Sequence, residues 1–177
     1  MSASTDGPSA ASGEVSRRPQ IAVIGTGAPD EGLAALAEDV GRGVAEAGAL
    51  LVCGGMGGVM EAASRGASEA GGDVIGILPT EDTAEANPHV THAVATGIGH
   101  ARNLAVVASA DAVIAIGGEW GTLAEIGFAR RVGRTVVALR SWAVSGGGEM
   151  EGGPGVEAVS ESRAAVELAL DAARSRR

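Results

Sequence analysis

Gly117-Gly118-Glu119-Trp120-Gly121-Thr122-Leu123-Ala124-Glu125 decides how this chain folds, because it joins a buried apolar run to a helix through glycines and a hydroxyl. The run before it, Asp111-Ala112-Val113-Ile114-Ala115-Ile116, is short, β-branched and nearly free of charge, which suits a central parallel strand covered on both faces. The residues after it, Ile126-Gly127-Phe128-Ala129, are apolar and compatible with a helix. A glycine turn from a parallel strand into a helix leaves backbone N–H groups unpaired at the positive end of the helix dipole, beside a cavity. Such a cavity favours an anion, phosphate above all. Thr122 adds a hydroxyl donor, and Glu125 places a carboxylate one helical turn further in. Taken alone, the stretch also reads as a tight turn with Glu125 as a solvated first-turn acid.

Working outward, the same strand–turn–helix signature recurs. Gln20 to Ile24 is a buried strand opening into Gly25-Thr26-Gly27, and Leu33, Leu36, Ala37, Val40 and Val44 then repeat at helical spacing to about Ala47, with Gly48 as the stop. Ala49 to Cys53 is a second strand, and Gly54-Gly55-Met56-Gly57-Gly58 feeds a helix from Val59 to Ala70 that Gly71-Gly72 ends. Asp73 to Leu78 is a third strand, closed by Pro79. Thr80 to Pro88 is polar and acidic, readable as a loop over the mouth of the sheet or as surface filler. Thr91 to Ala95 reads as a short strand, Gly97 to Asn103 as the lead into a helix ending near Ala110, and Thr135 to Leu139 as a further strand. Gly146 to Gly155 reads as linker and Val156 to Val159 as an edge strand. Val166, Ala169, Leu170 and Ala173 mark a terminal helix with Ser160 as its N-cap, and Arg174, Arg176 and Arg177 suit the helix's C-terminus. Strands alternating with helices indicate a doubly wound, mostly parallel α/β sheet, three-layered and Rossmann-like.

Bulk properties narrow the function. The 177 residues suit one domain over 19–177, preceded by a Ser, Ala, Gly and Pro-rich leader over 1–18 that is expected to be disordered. A net charge of −9 opposes a nucleic-acid partner. One cysteine, Cys53, and three scattered histidines give neither a disulfide nor a metal-ligand spacing. No apolar run is long enough to span a membrane and no signal pattern opens the chain, so a cytoplasmic protein is expected.

In an open parallel sheet, successive strand-to-helix turns lie on one edge, and ligands bind there near the point where strand order reverses. Gly25-Thr26-Gly27, Gly54-Gly55-Met56-Gly57-Gly58 and Gly117-Gly118 with Trp120-Gly121-Thr122 are therefore expected to surround one crevice and to bind a phosphate-bearing ligand. None is followed by a Walker lysine, and Gly25-x-Gly27 lacks the third glycine of a dinucleotide fingerprint.

Four stretches in order, Gly54 to Glu61, Ile77-Leu78-Pro79, Thr96 to Asn103 and Gly117 to Ile126, resemble the motifs of the LOG ("Lonely guy", lysine-decarboxylase-like) superfamily. They are most similar to its bacterial branch that includes molybdenum cofactor carrier proteins. The resemblance covers Gln20 to Leu139 and implies a homodimer or higher homo-oligomer. On the enzyme side it implies a phosphoribohydrolase, splitting a nucleoside 5′-monophosphate into free base and ribose 5-phosphate. On the carrier side it implies non-catalytic binding of a nucleotide or of molybdenum cofactor. No cofactor is required by either.

The enzymes' Pro-Gly-Gly-x-Gly-Thr-x-x-Glu motif places its Gly-Thr and Glu on Gly121, Thr122 and Glu125, and their Arg-Lys pair falls on Arg102 and Asn103. Gly117 and Glu119 stand where that motif has Pro and its second Gly, and Asn103 where it has Lys. Glu119 would repel a phosphate unless it points outward. A carboxylate near an anomeric carbon can stabilise the positive charge built up in glycosidic cleavage and can deprotonate water, which makes Glu125 the catalytic candidate. Arg102 would hold phosphate or ribose, or assist departure of the base. Trp120 reads either as a stacking platform or as packing. His100, two residues before Arg102, reads as a surface residue, with a general acid as the alternative; Met56 and Met60 read as packing, and Cys53 as a small buried residue at a strand end.

Overall fold

The computed structural model describes residues 17–144 and 155–176. Their strands are β1 Gln20–Gly25, β2 Leu50–Cys53, β3 Val74–Leu78, β4 His92–Ala95, β5 Ala112–Ile116, β6 Thr135–Leu139 and β7 Val156–Val159. The helices are α1 Glu31–Glu46, α2 Val59–Glu69, α3 Arg102–Ser109, α4 Trp120–Arg131 and α5 Ser162–Ser175, with short 3-10 turns at Thr83–Glu85 and Gly99–Ala101. The sheet runs β4-β3-β2-β1-β5-β6-β7 and every pairing is parallel. This is the doubly wound α/β arrangement expected from the alternation of strand and helix signals.

Strand β1 shows why two faces are needed. Ile21 and Val23 point into a core with Val40 and Val44 of α1, Ala63 and Ala67 of α2, and Ala169 of α5. Ala22 and Ile24 point the other way, onto Val106 and Val107 of α3 and Ile126 and Ala129 of α4. The period-two alternation of a strand thus serves two separate helix layers. With aromatics at 2% of the chain, the layers close through small residues. A Cβ on Gly41 of α1 would collide with the Ala63 carbonyl of α2, and one on Gly66 of α2 with the Glu38 carbonyl of α1. The two helices touch backbone to backbone.

Several local details differ from the sequence reading. Helix α1 starts at Glu31, two residues before its first apolar position, because the Asp30 side chain accepts from the Leu33 N–H at 2.9 Å and caps it. Ser160 is not the cap of α5: the turn off β7 uses both Ser160 and Glu161 to reverse direction, Glu161 takes the cap position, and no side chain caps the helix. Ser162 instead donates to the Leu36 carbonyl of α1 at 3.2 Å. At the other terminus, Arg17 and Arg18 are fastened to the sheet. Arg17 pairs with the buried Asp111, and Arg18 with Asp73 at 2.6 Å. The rest of the expected leader, nearly all of the expected linker, and Arg177 lie outside the described residues.

Candidate functional site

Strand order reverses between β1 and β5, since the chain winds outward through β2, β3 and β4 before β5 pairs on the opposite side of β1. Neighbouring turns diverge there, and a cavity of ≈ 280 Å³ opens at the carboxyl edge. It is lined by Gly25, Thr26 and Gly27 from the first turn and Gly54 and Met56 from the second. Arg102 and Asn103 come from α3, and Gly121, Thr122 and Glu125 from α4.

The cavity has an electrostatic character of its own. Helices α2, α3 and α4 all begin without a side-chain cap, whereas α1, which lies apart from it, is capped by Asp30. Gly121 and Thr122 in the first turn of α4, and Arg102 at the first position of α3, face the same space. Uncapped helix starts beside one crevice give it a positive potential, a setting for an anion.

At the floor stand the two charged candidates. Arg102 is 7% exposed and Glu125 6%, and Arg102 Nη1 lies 3.9 Å from Glu125 Oε1. That spacing is an ion pair without a hydrogen bond. Arg102 Nη1 donates instead to Asn103 Oδ1 at 2.9 Å, while Arg102 Nε is buried without a partner. A side chain on Gly54 would strike the guanidinium, so the glycine there makes room for it. Burial pushes the Glu125 carboxyl up to about 7, with the Arg102 guanidinium pulling against it. Burial pushes Arg102 down, opposed by Glu125 and then by Cys53. Both residues line the cavity, and neither spends its full hydrogen-bonding capacity on the other.

Not every glycine expected in the crevice lines it. Gly55, at φ +71°, abuts Leu78, and Gly58, at φ +65°, lies against the Thr26 carbonyl and lets the start of α2 approach the first turn. Gly57 likewise sits outside the lining. Gly117 packs on Leu33 and Gly118 on Trp142, and both open onto a separate cleft with Arg140 and Ser141. Trp120 is 77% exposed, outside the cavity, its ring centroid 5.5 Å from that of Trp142. Within each turn some residues face the cavity and others support the turn from behind, and the sequence pattern does not separate the two.

Other residues enter the lining unannounced. His100 and Met60, read as surface and packing residues, both contribute to it, as do Pro79 and Glu119. Glu119 does not point outward: its Oε1 accepts from Thr26 Oγ1 at 2.8 Å, across the gap between the β1 and β5 turns. The Thr80 to Pro88 stretch contributes no lining residue. Asn87 is buried there and braces the second glycine turn, its Nδ2 donating to the Met56 carbonyl at 3.0 Å and its N–H to the Gly55 carbonyl at 2.8 Å. The stretch reads as a loop or as surface filler, and nothing local shows what the Asn87 amide would hold. Cys53 is buried as expected, its thiol pushed up by burial. Among the described residues no cluster of His, Cys, Asp or Glu is placed to hold a metal ion, and no helix is long and apolar enough to cross a membrane.

Known proteins share this architecture. A molybdenum cofactor binding protein from the phototrophic bacterium Rippkaea orientalis superposes with a TM-score of 0.78 at 33% identity, over 88% of this chain and 98% of that one. The molybdenum cofactor carrier protein of Chlamydomonas reinhardtii superposes at 0.75 with 29% identity, over 88% and 98%. An uncharacterized protein of Archaeoglobus fulgidus is 45% identical over 121 residues, 68% of this chain and 80% of its own length. The model of the SLOG cluster4 family matches residues 18–167, and with a fold and motif order that agree, the chain belongs to that family.

Proposed function

We propose that this protein is a binder of a small phosphate-bearing ligand, and specifically a non-catalytic carrier of molybdenum cofactor. The observation that carries the reading is the buried Arg102, with Nε unpartnered and Glu125 held 3.9 Å away, lining a cavity beside the uncapped starts of α3 and α4. The similarity to two cofactor-binding proteins over nearly their whole lengths supports the choice of ligand. Asn103 supports it too, since its carbonyl oxygen orients Arg102 where a lysine would repel it. The residues of the site would supply charge and hydrogen bonds to the pterin's phosphate and ring edges, and carriage asks nothing more of them. Loading the purified protein with molybdenum cofactor tests this. Retention of pterin absorbance, phosphorus and molybdenum at one per chain after gel filtration is expected. Folded protein that keeps neither the cofactor nor any nucleotide overturns it.

A second reading rests on one observation, the Glu125 carboxyl pushed up to about 7 beside a fixed cation. A carboxyl near neutrality suits a general base for water, with the ionised form stabilising an oxocarbenium-like ribose. The reaction would be hydrolysis of a nucleoside 5′-monophosphate at its N-glycosidic bond. Incubation with AMP and related monophosphates, with Glu125→Gln as the control that loses turnover but keeps ligand binding, separates the two. Free base above the control assigns an enzyme.

The proposal includes a cytoplasmic homo-oligomer. Leu104 is 42% exposed on α3 and Phe128 40% on α4, and Ala108, Ala124 and Gly127 are exposed on the same two helices. Together they make an apolar patch on that layer, a surface suited to a second copy.

A further inference from the structure

The Glu119 carboxylate is anomalous where it stands. It occupies the N-cap position of α4, yet it caps nothing there, and its Oε1 reaches over the crevice to Thr26 Oγ1. Thr26 is 8% exposed, and its hydroxyl also accepts from the Ala28 N–H at 3.0 Å, which fixes the direction in which its proton points. Both residues line the cavity with Arg102, Gly121 and Thr122. The one side-chain hydroxyl donor contributed by the first turn is therefore already taken, and what takes it is an anion. A carboxylate at the uncapped start of a helix, lining a cavity that also holds a buried guanidinium, fills the electrostatic role that a ligand's phosphate would fill.

We propose that Glu119 is a built-in competitor for the anion seat, a carboxylate that must leave Thr26 and swing out before a phosphate can settle at the start of α4. This rests on the reading of the cavity as a phosphate-binding site. Like charges cannot share one seat, so the affinity for an anion measured on this chain is the intrinsic affinity reduced by the fraction of time Glu119 holds the place. Glu119 thereby selects among ligands: a bare anion binds weakly, while a larger ligand, held elsewhere in the cavity as well, displaces it more readily. The exchange also carries a signal, because releasing Thr26 uncouples the β1 turn from the β5 turn. Trp120, the next residue along, moves with it.

Inorganic phosphate is the probe, titrated calorimetrically into the full chain and into Glu119→Gln, Glu119→Gly and Thr26→Val. Glutamine keeps the shape and can still accept from Thr26 but lacks the charge; glycine removes the competitor outright. Phosphate affinity is expected to rise about tenfold in Glu119→Gln and more in Glu119→Gly, equivalent to about 1.4 kcal/mol or more. Thr26→Val, which frees Glu119 but removes a donor, is expected to show a smaller change. Tryptophan emission gives a second readout, since both tryptophans of the chain, Trp120 and Trp142, stack beside this turn. The parent chain should change emission on phosphate binding, and Glu119→Gly should start near the bound spectrum. Equal phosphate affinity in the parent chain and the two Glu119 variants overturns the competitor and leaves the anion site standing. Absence of phosphate binding in every folded variant overturns both.

Discussion

Glu125 holds a proton in the folded chain across a pH range in which it would be ionised unfolded. Its carboxyl moves from 4.5 to about 7 on burial, so its contribution to stability is fully present below 4.5 and is lost as pH rises through 7. The loss is roughly 3 kcal/mol, from about 1.36 kcal/mol per unit. Urea unfolding from pH 5 to 8 should show this decline, and Glu125→Gln should flatten it; an unchanged slope in the variant would mean that another group is responsible. Arg102→Met should weaken ligand retention by at least an order of magnitude, by removing the cavity's buried cation. It should also push the Glu125 carboxyl higher still, read by carbon NMR titration, because Arg102 is the group that pulls it down. A lower midpoint in that variant would show that the two side chains do not sense each other. At this scale the sequence was informative about identity and silent about direction. Glu125 was singled out by its place one turn into a helix and Arg102 by the motif resemblance, and the two do lie together in the cavity. The direction of Glu119 was left open, and it bonds Thr26, a partner 93 positions away that no local pattern could reveal.

At the scale of elements, every strand was legible, because a short apolar run flanked by glycines has few other uses in a soluble chain. Helix starts were less so. The Asp30 cap of α1 was written three residues ahead of Leu33 and passed over, while the empty caps of α2, α3 and α4 carried their meaning only once their ends were seen to converge. The sequence pattern does not say what the glycines inside helices meet, and Gly41 and Gly66 serve the contact of α1 with α2. Gly41→Ala and Gly66→Ala are each expected to lower stability by about 1–3 kcal/mol through overpacking. Gly127 on α4 is the counterexample, since a Cβ there meets nothing within 4 Å. Gly127→Ala should therefore raise stability by about 0.5–1 kcal/mol on helix propensity alone. Denaturant midpoints of the three variants check both signs together, and a destabilised Gly127→Ala would indicate that the outer surface of α4 is covered in solution.

On the scale of the whole molecule, the two outer layers are unlike each other. Helix α1 exposes Glu31, Asp39 and Glu46, whereas α3 and α4 expose Leu104, Phe128 and small apolar residues. Leu104→Glu together with Phe128→Glu should convert an assembled form into monomers in sedimentation velocity runs without lowering the melting temperature of the isolated chain. A parent chain that already sediments as a monomer would discard that interface. The parallel order of strands was foreseeable from the alternation, but the position of the crevice followed from the reversal beside β1, which only the pairing of β1 with β5 establishes. That seam has a mechanical corollary. Its two walls are contributed by halves of the chain that are made one after the other, so the seat does not exist until the later half docks on the earlier. An occupant is thus a rivet through two plates: pulling either away frees it, and a loaded chain should melt in one step, at a temperature that climbs with the occupant's concentration.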